Sequence, residues 1–145
     1  METDIKNRVA ITINAPAEKV WKALTDPEII KKYFFGTNTE TDWKKGHPIR
    51  FYGEWQGKKY QDKGTILDID KGKMIKYDYW SSMSGIEDKP ENYVIITYKL
   101  SQDDGKTRVE IIQENIPDEK MREHSEQNWK MVLDGLKKVV EERKL

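Results

Sequence analysis

The sequence contains no cysteine, which excludes a disulfide framework, a thiolate nucleophile and a thiolate metal site, and leaves nothing pointing to an oxidising compartment. Histidine is scarce as well. His47 and His124 are the only two, and neither has a metal-ligating neighbour at the spacing a zinc site needs. Both read as surface residues, and neither a metal nor a cofactor is expected. No charge sign is in excess, because 26 Lys and Arg balance 26 Asp and Glu, so no global field draws the chain toward nucleic acid or an anionic membrane. The pairs Lys44-Lys45 and Lys58-Lys59 are short and flanked by acidic and aromatic residues, as solvated turns are. No apolar run approaches bilayer length, and residues 1–6 lack the apolar segment of a secretory leader. The expectations are no membrane insertion and a cytoplasmic location. Nucleophile elbows, phosphate-cradling glycine loops, internal repeats and low-complexity segments are also missing. The whole chain, residues 1–145, is read as one domain able to bury about 68–70% of its unfolded surface without staples.

What the chain does have is alternation. From Ile5 to Ile13, Ile5, Val9, Ile11 and Ile13 fall on one side and Lys6, Arg8 and Thr12 on the other, as a half-buried strand requires. Pro16 stops that strand and suits the first turn of a helix carrying Val20, Trp21 and Leu24. Asp26 and Pro27 repeat the device, as N-cap and first residue of a short second helix through Ile30. Strand patterns then recur over residues 49–55, 59–70, 74–80, 94–100 and 107–114, separated by turn sequences such as Gln56-Gly57, Asp70-Lys71-Gly72-Lys73 and Asp103-Asp104-Gly105-Lys106. This is the signature of an antiparallel meander. From Asp118 onward the period becomes helical, with Met121, Ser125, Asn128, Val132, Leu136 and Val139 at three- and four-residue steps, flanked by Trp129, Leu133 and Val140. Acidic residues interleave with its lysines, so the helix lacks the basic stripe of a membrane-surface helix and is expected to pack on the sheet.

Three segments carry a resemblance to a known family: Ala15 to Glu28; Gly64 to Ile69 with Tyr77 to Trp80; and Asn128 to Lys137. In these and in their order the chain resembles the group of homologues of the activator of heat-shock protein 90 ATPase. That group lies within the wider superfamily of the birch-pollen allergen and lipid-transfer (START, SRPBCC) domains. The resemblance implies an α+β helix-grip fold. In it a curved antiparallel sheet, with two short helices after its first strand, wraps around a long C-terminal helix and leaves a cavity between them. It further implies binding of a small molecule or assistance to a chaperone. The eukaryotic activators carry an additional N-terminal domain that makes much of the chaperone contact, for which 145 residues leave no room.

The residues favour the first of these functions. Phe34, Phe35, Trp43, Phe51, Trp55, Tyr77, Tyr79, Tyr98 and Trp129 fall on or beside the inferred inner faces, and Gln113, Ser125 and Asn128 are placed to add hydrogen bonds. Together they form the candidate site for a small hydrophobic or aromatic ligand. The alternative is that the same rings fill an ordinary core. The carboxylates Glu54, Asp62, Asp68, Asp78 and Glu114 are candidates for acid–base chemistry, yet on strands they are expected on the solvated face, and no catalytic residue is assigned. Ligand binding therefore ranks first, a chaperone-related interaction module second, and an enzyme of the polyketide cyclase or hydrolase kind third.

Overall fold

The computed structural model describes residues 3–82 and 85–143, without the side chains of Trp55 and Arg143. In chain order the elements are β1 (Asn7–Ile13), α1 (Ala17–Thr25), α2 (Pro27–Tyr33), β2 (Asn38–Glu40), β3 (Pro48–Trp55), β4 (Lys58–Asp70), β5 (Met74–Tyr79), β6 (Val94–Asp103), β7 (Lys106–Glu114) and α3 (Glu119–Arg143), with a single 3-10 turn at Pro90–Asn92 before β6. The strands form one antiparallel sheet in the order β1-β7-β6-β5-β4-β3-β2. Every strand from β2 to β6 thus pairs with its successor, while β1 closes onto β7 with Asn7 opposite Gln113 and Ile13 opposite Thr107.

Local sequence explains most of these boundaries. The Asp26 carboxylate accepts the Glu28 N–H at 3.0 Å, capping α2 with Pro27 as its first residue. Pro16 occupies the N-cap of α1 rather than a position inside its first turn. Asp118 caps α3 by accepting the Met121 N–H at 2.8 Å. The β6–β7 hairpin turns on Asp104 and Gly105 with φ of 53° and 77°, the left-handed pair that a tight primed turn demands and glycine accepts without penalty.

Curvature enters at β4. Its register against β5 shifts between Ile66 and Asp68, and such a bulge bends and twists the strand that carries it. Next to it β4 and β5 approach closely at Gly64, where a methyl group would sit 1.7 Å from the Asp78 carbonyl oxygen. The concave face of the sheet receives α3 through Trp129, Val132, Leu133, Leu136 and Val140, all buried. This stripe is rotated from the one anticipated, since Met121 is 37% exposed and Val139 only partly buried. Against it lie Ile13, Val109 and Ile111 from the sheet, with Val20, Leu24 and Ile30 from α1 and α2.

Asp78 is half-buried on the outer face of β5 and accepts the Thr65 N–H at 2.7 Å. Burial raises its carboxyl above the usual range, partly offset by that hydrogen bond and a second backbone one. A carboxyl whose folded pKa lies above its unfolded value destabilises the fold once both states are ionised, and the penalty vanishes at pH below the unfolded value of about 3.9. Asp78→Asn keeps an acceptor for Thr65 and removes the charge. We expect it to melt higher than the wild type at pH 7 and to lose that advantage near pH 3; an advantage independent of pH would contradict this account.

Candidate functional site

Between the sheet and α3, at the end away from the Val140 contact, the side chains leave a cavity of about 520 Å³, within the range of small-molecule sites. Phe51, Tyr77, Tyr79, Ile96 and Gln113 line it from β3, β5, β6 and β7, and Ser125, Asn128, Trp129 and Val132 from α3. Phe34, Phe35 and Thr37, in the connection after α2, form one rim, and Glu54, Tyr60 and Asp62 complete the lining from β3 and β4. Phe35 is 59% exposed at the mouth, with a φ of 54°.

The aromatic lining is organised rather than merely present. Phe34, Phe51, Tyr77, Tyr98 and Trp129 form a closed circuit in which successive ring centroids lie 5.7–6.1 Å apart. Phe34 and Phe51 stack, while Tyr77, Tyr98 and Trp129 meet edge to face. Each such pair contributes about 0.5–1.5 kcal/mol beyond the area it buries. The circuit holds its members against one another, so the cavity wall is set before any ligand arrives.

The polar groups are held just as firmly. The Trp129 indole N–H donates to Gln113 Oε1 at 2.6 Å, which fixes helix against sheet across the cavity. Thr37 and Tyr60 share a hydrogen bond at 2.6 Å. Asp62 is 7% exposed and accepts the Tyr79 hydroxyl at 2.5 Å and the Ser82 N–H at 3.0 Å. Burial, reinforced by neighbouring phenols or by Asp62, pushes the Tyr77 and Tyr79 hydroxyls well above their ordinary range. Both are therefore neutral at physiological pH, and Tyr79 acts as a donor to Asp62.

Tyr77 and Tyr98 share a buried hydrogen bond at 2.8 Å. Tyr77→Phe would strand the Tyr98 hydroxyl in the wall, where an unpaired buried polar group costs about 1–3 kcal/mol. The double variant Tyr77→Phe/Tyr98→Phe strands nothing. Chemical denaturation should show it to be destabilised by less than the sum of the two single variants; strict additivity would show that the pair is not coupled.

Of the residues singled out by sequence, Phe34, Phe35, Phe51, Tyr77, Tyr79, Gln113, Ser125, Asn128 and Trp129 line the cavity. Tyr98 stands behind the wall, covered by Tyr77 and Trp129. Trp43 does not reach the cavity: it packs, partly buried, against the core from the β2–β3 connection, where a φ of 61° turns the chain. The Trp55 side chain lies outside the described residues. Asp62 departs from its expected solvated position. The inward set on β4 is Asp62, Gly64 and Ile66, and the register places Asp62 opposite Phe51 on the cavity face. Thr37, Tyr60, Ile96 and Val132 also line the cavity without having been singled out, and Glu54, exposed as expected of a strand carboxylate, still joins the lining. For Ile96 and Val132 the signal was available, since both belong to the strand and helix patterns pointing inward. His47 and His124 are exposed, with His47 Nδ1 2.6 Å from Asp42. Among the described residues no group of three or more His, Asp or Glu is gathered as a metal site, and no helix is long and apolar enough to cross a membrane.

A curved antiparallel sheet gripping a long C-terminal helix, with two short helices after the first strand, defines the helix-grip class. The chain belongs to the family of activator of Hsp90 ATPase homolog 1-like proteins, whose model matches residues 14–141. Its fold is similar to that of ChR145 from Cytophaga hutchinsonii, at 46% identity over 99% of this chain and 98% of that one, with a TM-score of 0.84. It is also similar to the Aha1 protein of Colwellia psychrerythraea, whose solution structure is a dimer, at 19% identity over 94% and 96% of the two chains and a TM-score of 0.74. A third similar structure is DynU16, a protein of the dynemicin biosynthetic locus, at 15% identity over 96% of this chain and 48% of that one, with a TM-score of 0.79. No curated protein matches the chain.

Proposed function

We propose that this protein binds a small apolar or aromatic molecule in the cavity between the sheet and α3. The observation that carries this reading is a cleft of about 520 Å³, open at Phe35, lined by the rings of Phe34, Phe51, Tyr77, Tyr79 and Trp129. A cleft that leaves aromatic surface accessible between sheet and helix offers apolar area for a small molecule to cover. Phe34, Phe51, Tyr77, Tyr79 and Trp129 supply ring faces, while Gln113, Ser125 and Asn128 orient polar substituents. The occurrence of a similar fold in a biosynthetic locus agrees with a small-molecule role.

The test is a titration with fatty acids, sterols, flavonoids and aromatic polyketides, reading tryptophan emission and melting temperature together. A ligand at 100 times its Kd stabilises the folded state by about 2.7 kcal/mol. Trp129→Phe should suppress the emission change while preserving the thermal shift. Flat signals across the whole series would contradict the reading. The family match favours a second reading, contact with a chaperone. Saturable stimulation of the host Hsp90 ATPase, without ligand-dependent stabilisation, would put it first.

A further inference from the structure

The charge of the cavity lining has one sign. Among the described residues that line it, Glu54 and Asp62 are the only ionisable carboxylates and there is no Lys, Arg or His. Neither carboxylate forms an ion pair with a described residue; exposed Glu54 has Lys59 opposite it in the β3–β4 register, whereas Asp62 is buried with Phe51 opposite. Asp62 is the inner of the two. Tyr79 and Ser82 fix it in place, and these contacts leave part of the acceptor capacity of a carboxylate, about four lone-pair sites, unused. Phe51 lies directly opposite it on the neighbouring strand, and the Phe51 and Tyr79 rings meet at 5.6 Å. A carboxylate on an otherwise aromatic wall attracts a cation through opposite charge and charge-assisted hydrogen bonding, while the rings around it cover the cation's apolar body. The same environment repels an anion, which would lose its hydration against like charge and find no cationic partner.

Resting on the cavity reading above, we propose that the site selects ring-bearing amines, with the ammonium at Asp62 against Phe51 and Tyr79 and the apolar body toward Trp129. It discriminates against carboxylate ligands, fatty acids included.

Three probes with one skeleton separate this proposal from the cavity reading: naphthylethylamine, naphthylethanol and naphthylacetate, titrated by calorimetry at pH 7. The amine is expected to bind about tenfold or more tighter than the acetate, with the alcohol between them. Asp62→Asn should weaken the amine by about tenfold and leave the alcohol within about twofold. Equal affinities for the three probes, or preference for the acetate, would overturn the amine assignment while leaving a cavity that binds. Binding of none would overturn the cavity reading itself. Should Asp62→Asn fail to fold, the amine-to-acetate ratio on the wild-type chain decides the matter alone.

Discussion

A chain ending at Gln127 is expected to lose cooperative folding altogether. The truncation removes Trp129, Val132, Leu133, Leu136 and Val140, which are 6%, 4%, 2%, 1% and 1% exposed. Burying one such side chain is worth about 1.5–3 kcal/mol. Losing the five together takes away an amount comparable to the whole stability of a typical domain, roughly 5–15 kcal/mol. It also uncovers Ile13, Val109 and Ile111 on the concave sheet, so the remaining strands would present a large apolar face and associate. Circular dichroism on heating, with sedimentation to follow association, checks the outcome. A monomer that melts in one sharp transition near the full-length temperature would show that the sheet holds its shape without α3.

The second large effect is expected from the smallest substitution. Gly64→Ala places a methyl group 1.7 Å from the Asp78 carbonyl oxygen; the Cβ position is fixed by the β4 backbone and the oxygen belongs to the β5 backbone, so neither side can rotate away. The neighbouring bridge, in which Lys63 and Trp80 exchange hydrogen bonds of 2.8 and 3.1 Å, must open for the strands to separate. Overpacking of this kind costs about 1–3 kcal/mol in ordinary sites and more where the backbone has to move. We expect about 3 kcal/mol or more. Gly53→Ala provides the comparison: its methyl group meets the Tyr60 hydroxyl at 2.7 Å, the far end of a side chain able to swing, and should cost clearly less. Equal losses at the two glycines in urea denaturation would contradict the close approach of β4 and β5.

How far the sequence could be read depended on whether a residue's environment is made by its neighbours along the chain. The cap at Asp26, the hairpin at Asp104-Gly105 and the alternation of Ile75, Tyr77 and Tyr79 are local, and each appears in the fold where its pattern placed it. Three features were not legible for the same reason reversed. Strand β2, Asn38-Thr39-Glu40, has no apolar alternation and exists because it pairs with β3, Thr39 opposite Phe51. Helix α2 runs beyond Ile30 to Tyr33, whose hydroxyl donates to the Ala23 carbonyl at 2.8 Å, a contact between helices that no helical period contains. Asp62 reads as a solvated strand carboxylate until Tyr79 and Ser82, respectively 17 and 20 positions away, are seen to satisfy it. The aromatic lining was legible as a set because inward alternation on several strands selected it. The volume left between the rings depends on their mutual tilt, and no one-dimensional pattern records that.

The central claim is that a molecule occupies the space between the sheet and α3, and the most direct measurement is a nitrogen-15 NMR titration with naphthylethanol, a probe without charge. The Trp129 indole N–H, which donates to Gln113 at 2.6 Å, and the amides of Phe34, Phe51, Tyr79 and Gln113 should shift together and saturate at one affinity. Saturable shifts confined to residues outside this group, or no saturable shift at all, would contradict the account.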